Sequence, residues 1–129
     1  MLMLGPFLVA RDGRLSLRAP HLRPLIRYAW RGRRCLAELS ADRLRLLALA
    51  GRIPSTAEAA ADRARAVGAV LALRAELAGL DLGLLPDHRV VLRATAPPPE
   101  GAIELLAAMT RFALRLDAPL EQLAAAGIT

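Results

Sequence analysis

The chain has 129 residues, enough for one compact domain with a real core. It is 55% hydrophobic and 23% charged, which excludes a disordered chain. Its 18 cationic residues are all arginine, so lysine Schiff-base chemistry and a lysine-bearing phosphate loop are excluded. The lone Cys35 excludes an internal disulfide and any multi-cysteine metal cluster.

Charge is unevenly placed. Residues 1–45 hold ten arginines against Asp12, Glu38 and Asp42, a net +7, whereas residues 46–129 hold eight arginines against nine acids, a net −1. Such a basic first third fits an anionic partner or a heavily solvated surface. Met1–Ala10 is apolar but has no basic leader region before it, and no uncharged run is long enough to cross a bilayer. The expectation is a cytoplasmic protein with no membrane contact.

In chain order, Phe7–Ala10 and Arg14–Arg18 flank Asp12-Gly13, a strong hairpin signal because a tight two-residue turn needs positive φ. Pairing Arg11 with Arg14 sets Ala10 opposite Leu15 and Leu8 opposite Leu17, giving one apolar face with Val9, Ser16 and Arg18 turned away. Leu25–Trp30 and Arg33–Leu39 flank Arg31-Gly32 and predict a second hairpin. There Ile26, Tyr28 and Trp30 share a face with Cys35, Ala37 and Leu39. Residues 42–50 suit either a strand or a helix capped by Ser40 and closed by Gly51. The alternation of Leu44, Leu46, Ala48 and Ala50 with Arg43, Arg45, Leu47 and Leu49 favours a strand reached through a turn at Ala41-Asp42.

Ser55 and Glu58 form a capping box that starts an Ala-rich helix over 55–74, burying Ala60, Ala64, Val67, Val70 and Leu71. A third hairpin spans 77–96 around Pro86-Asp87, and Pro97-Pro98-Pro99 ends its second strand. Ala102, Leu106, Met109, Ala113 and Leu116 then form a helical stripe. Ile103, Leu105, Phe112 and Leu114 add apolar surface beside it, so this long helix needs cover from a sheet and from its own tail or a second subunit. Asp117 and Pro119 break it, and Leu120–Ala126 makes a last short helix closed by Gly127. The expectation is a single α+β domain over 1–129. A basic β-rich part over 1–50, an antiparallel meander, joins a hairpin packed against the Ala-rich helix and the C-terminal helices of 101–126.

Catalytic signals are missing: there is no glycine-rich phosphate loop, no Gly-x-Ser-x-Gly turn and no metalloprotease spacing around His21 or His88. No cofactor and no metal is expected, and the chain reads as no enzyme. The candidate binding residues lie around the second hairpin: Arg27, Arg31, Arg33 and Arg34 for an anion or an acidic partner, with Tyr28 and Trp30 interleaved. Arginine beside aromatic rings is also the chemistry of single-strand binding.

The stretch from "VGAVLALRAELAGLDLGLLPDHRVVLRATAPPPEGAIELLAAMTRFALRL", within residues about 40–117, resembles type III secretion chaperone-like proteins and the related YbjN-like group, in which a helix enters a hairpin and a long helix follows. That resemblance implies an α+β homodimer that holds an extended segment of a client protein on apolar patches and hydrolyses nothing. The expected function is thus a homodimeric protein-binding module, chaperone-like or adaptor. The alternative is an RNA- or single-strand-binding protein using the arginine hairpin.

Overall fold

A computed structural model describes residues 2–54, 60–77 and 79–129. Along the described residues six antiparallel strands, a helix, two more strands and two helices follow one another in an α+β fold. A three-stranded sheet has the order β1 (Leu2–Leu4), β2 (Phe7–Val9), β3 (Leu15–Leu17). The second sheet contains β4 (Leu25–Trp30), β5 (Arg33–Leu39), β6 (Leu44–Arg52), β7 (Asp81–Leu84) and β8 (Arg89–Ala96), in the order β4-β5-β6-β8-β7. The helices are α1 (Ala60–Glu76), α2 (Ala102–Leu114) and α3 (Asp117–Ala125). The chain divides into two compact units, residues 1–46 with 95–113 and residues 47–94 with 114–129.

The first unit holds the meander and α2. Residues 31 and 32 turn β4 into β5 in the expected register, Trp30 opposite Arg33, Tyr28 opposite Cys35 and Ile26 opposite Ala37. Ser40 and Arg43 close the next turn, and 44–52 is a strand, so Ala41-Asp42 is the turn that the alternation required. The first hairpin corrects the expected register. Phe7 pairs with Leu17, Leu8 with Ser16 and Val9 with Leu15. Its loop has three residues, closed by the Ala10 N–H to the Arg14 carbonyl (3.0 Å), and Gly13 takes φ +86. One extra loop residue moves the whole apolar set to the other face. Phe7, Val9, Leu15 and Leu17 therefore share a side, joined through β1 by Leu2 and Leu4. That β1 strand was not expected from the sequence.

The core of this unit draws on Phe7, Ile26, Cys35, Ala37, Leu44 and Leu46 from strands and on Leu105, Ala108, Met109, Phe112 and Ala113 from α2. The expected α2 stripe holds at Met109, Ala113 and Leu116, which are buried, and is corrected at Leu106, which is 45% exposed; Leu105, Ala108 and Phe112 complete the buried face. The Gly13 carbonyl accepts the Ala102 N–H (2.8 Å), satisfying one of the donors a helix start leaves unpaired.

The second unit holds the rest of β6, the β7–β8 hairpin, α1 and α3, with α1 lying against α3 and β7. Its core includes Ala48, Ile53, Ala66, Leu73, Leu82, Val90, Leu92, Leu116, Leu120, Leu123 and Ile128. The expected capping box of Ser55 and Glu58 lies outside the described residues. The buried face of α1 is Ala66 and Leu73, a heptad apart, whereas Ala60, Ala64 and Leu71 are exposed and Val67 and Val70 half-buried, a rotation from the expected stripe. Alanine-rich helices give weak facial contrast, and their orientation follows the neighbouring surface. Pro86 and Asp87 turn β7 into β8 together with His88, which takes φ +69. The last helix starts at Asp117, three residues earlier than expected, because Pro119 sits in its first turn, where a missing N–H costs nothing. Its end is as expected: Ile128 N–H reaches the Leu123 carbonyl and Gly127 N–H that of Ala124.

The turn at Ser40–Arg43 carries a pH-sensitive contact. The Ser40 hydroxyl donates to Asp42 at 2.8 Å, and this bond, with Arg43 and Arg45 nearby, holds the Asp42 carboxyl below its usual range. A lowered folded value means stability that is present above the unfolded-state pKa and lost as pH falls through the folded one. Urea midpoints of the wild-type chain and Asp42→Asn should differ at neutral pH and converge as pH drops below the ordinary aspartate range. An unchanged gap across that window would show that the contact does not stabilise the fold.

Candidate functional site

The β4–β5 hairpin carries the six residues singled out from sequence, and strand alternation divides them. Arg31 (φ +51) and Gly32 (φ +77) make the turn that needs two left-handed residues, an uncommon conformation for arginine. The Arg31 guanidinium carbon lies 5.7 Å from the centroid of the Trp30 ring, within cation–π range.

Tyr28, Trp30 and Arg33 share the side of buried Ile26, Cys35 and Ala37. The Tyr28 hydroxyl donates to the Met109 carbonyl of α2 (3.3 Å), and burial, reinforced by Cys35, pushes the phenol well above its usual range. Burial also pushes the Cys35 thiol up, against a smaller opposing pull from Arg33. A buried thiol held in its protonated form is a poor nucleophile. The Trp30 Nε1 is buried and has no hydrogen-bond partner among the described residues. Both rings are therefore half-buried and turned to the core side.

Arg27 and Arg34 stand on the opposite side, exposed around the exposed Ala29. Arg27 pairs across with Leu36 and Arg34 with Ala29, so the two arginines are diagonal neighbours on one face. Neither makes an ion pair or side-chain hydrogen bond among the described residues. The acid of this face, Glu38, is taken by Arg23 at 3.1 Å and by Arg45 at 4.0 Å. The six candidates thus fall into an inward set, an outward pair and Arg31 at the tip. They do not converge on one site.

Sequence reasoning missed Arg23, Glu38 and Arg45 as members of the outward face, although the parity of residues 25–29 and 34–38 carries the signal. It also put Leu106 on the inner stripe of α2. Ile103 (79% exposed), Leu106, Thr110 and Leu114 form a second, outward stripe at helical spacing. The Thr110 hydroxyl bonds back to the Leu106 carbonyl (2.8 Å), so that residue adds little polarity to the stripe.

The charge imbalance follows the compact units. The first contains eleven arginines against five acids, a net +6, and the second seven against seven. Among the described residues no group of three or more metal-ligating side chains comes together, and no helix is long and apolar enough to cross a membrane. His88 sits in its turn with its carbonyl accepting the Ile53 N–H (2.9 Å) and its Nδ1 3.4 Å from Arg63.

These features define an α+β protein with a basic, one-sided sheet hairpin and an over-apolar helix. No protein-family model matches the sequence, and no curated protein matches it. The chain is similar to one in the structure of the heterodimeric complex ExoU-SpcU from the type III secretion system of Pseudomonas aeruginosa. The identity is 15%, the TM-score 0.53, and the match covers 89% of this chain and 93% of that one. At that identity the likeness is one of fold alone.

Proposed function

We propose that this chain is a non-enzymatic protein-binding module of the chaperone or adaptor kind, which self-associates through α2 and holds a segment of a partner protein. The observation that carries this reading is the outward stripe of α2, with Ile103 79%, Leu106 45% and Leu114 57% exposed. Large aliphatic side chains in register on one helix face are costly to leave in water, at about 25 cal/mol per Å². A two-fold, antiparallel pairing of α2 about its middle brings Glu104 of one copy toward Arg111 of the other, so charge favours a second copy as the occupant. The fold likeness to a chain from a two-protein secretion complex supports a protein partner. In the RNA reading Tyr28 and Trp30 are stacking platforms. Their core-side placement favours the protein reading.

Light scattering on a sizing column, with absorbance at 260 and 280 nm at low and high salt, tests it. The wild-type chain should run near twice 13.8 kDa with clean protein absorbance. Ile103→Gln with Leu106→Gln should run as a folded monomer. A monomeric wild-type chain would end the self-association reading, and co-eluting material absorbing at 260 nm that salt strips away would favour nucleic acid.

A further inference from the structure

We infer that the outward face of the β4–β5 hairpin, centred on Arg27 and Arg34, binds an extended acidic segment of a partner protein. This inference rests on the protein-binding reading and names the chemistry of the partner. It starts from an electrostatic imbalance. Like charges at neighbouring positions of a sheet face repel, and Arg27 and Arg34 are diagonal neighbours, about 7–8 Å apart at such positions. Strand pairing holds them there. The acids of the surrounding strands and turns are already engaged: Asp12 by Arg14, Glu38 by Arg23 and Arg45, and Asp42 by Ser40. No carboxylate among the described residues neutralises Arg27 or Arg34, in the unit that carries the whole net charge of the chain.

The spacing selects an extended peptide. Alternate residues of an extended chain stand about 6.5 Å apart on one side, close to the separation of the two guanidinium stems. Carboxylates at alternate positions therefore meet Arg27 and Arg34 together, each accepting a planar, two-toothed pair of N–H bonds. Between and beside them, exposed Ala29 and half-buried Leu25 and Leu36 offer apolar footing for small aliphatic side chains. A nucleic acid also supplies anions, but its bases find no ring on this face, since Tyr28 and Trp30 lie on the other.

Fluorescence anisotropy with a short labelled peptide alternating Glu and Val provides the test, beside its Gln-Val counterpart and an oligo-dT strand of equal charge. The Glu-Val peptide should bind with an affinity that falls as salt rises, and the Gln-Val peptide should not bind. Arg27→Gln with Arg34→Gln should weaken binding about tenfold. Arg52→Gln with Arg74→Gln removes the same charge from exposed positions of the other unit and should leave binding unchanged. Equal loss in both double variants would reduce the effect to overall charge and overturn the site. Equal binding of the two peptides would overturn it as well, and tighter binding of oligo-dT would overturn the choice of occupant. The oligomeric state of Arg27→Gln with Arg34→Gln, read by light scattering, should match the wild-type chain. Loss of peptide binding with an intact dimer thus separates this inference from the self-association reading.

Discussion

Replacing Phe112 with alanine is expected to destabilise the chain by about 3–5 kcal/mol. Phe112 is 3% exposed and stands on the inner side of α2 with Leu105, Ala108 and Met109. Its loss removes the largest side chain that α2 buries and leaves a cavity that flanking alanines cannot fill. Stabilities of whole domains are only about 5–15 kcal/mol, so a change of this size brings the chain close to unfolding at ambient temperature. A urea titration followed by far-ultraviolet circular dichroism measures it. Ile103→Ala on the same helix is the comparison. Ile103 is 79% exposed within one copy, so at protein concentrations low enough to keep the chain monomeric its truncation should alter stability by about 0.5 kcal/mol or less. If both variants unfold at the same midpoint, the assignment of inner and outer faces on α2 is wrong.

Gly51→Ala is expected to destabilise by about 2–4 kcal/mol. Two independent causes act at this position. Gly51 has φ +150, which side-chain-bearing residues rarely adopt, and an added Cβ would lie 2.6–2.8 Å from backbone atoms of Thr129. Backbone cannot swing aside as a flexible side chain can, so β6 or the segment after α3 must shift. Gly68 in α1 is the matched control, because an added Cβ there meets nothing within 4 Å. Gly68→Ala should stabilise by about 0.5–1 kcal/mol through helix propensity. Opposite signs at the two glycines are the expected result; a neutral Gly51→Ala would mean that both the Gly51 dihedral and the Thr129 backbone relax at little cost.

Particular residues show what the sequence carried and what it withheld. The β4–β5 register was legible because Arg31-Gly32 admits one tight turn and the apolar residues on both sides alternate without a break. The first hairpin was legible only to within one residue. Asp12-Gly13 serves a two-residue turn and equally a three-residue loop whose last residue is left-handed, and the Leu- and Val-rich flanks are apolar at both parities. β1 was hidden because three apolar residues beside Met1 carry no alternation to read. In α1 the alanines blurred the facing. In α2 apolar residues surround most of the helix, so periodicity alone could not choose between Leu105 and Leu106. The candidate site suffered from grouping by nearness along the chain: six residues within 27–34 looked like one cluster, yet parity sends Arg27 and Arg34 to one face and Tyr28, Trp30 and Arg33 to the other.

The division of the chain has a consequence for how the protein is made. Neither unit is a continuous piece of polypeptide: the crossings fall inside β6, inside β8 and at the last residue of α2. During synthesis the first unit lacks α2 until residue 113 has left the ribosome, by which point all of 47–94 is already outside. The second unit in turn waits for 114–129 and the buried Leu116, Leu120, Leu123 and Ile128. Until its own late segment is out, each unit's strands expose the surface that segment covers. Neither unit can therefore close as its strands emerge: the first waits for α2 while nearly all of the second is already outside, and the second waits longer still, a window in which exposed apolar strands favour misassociation with another copy.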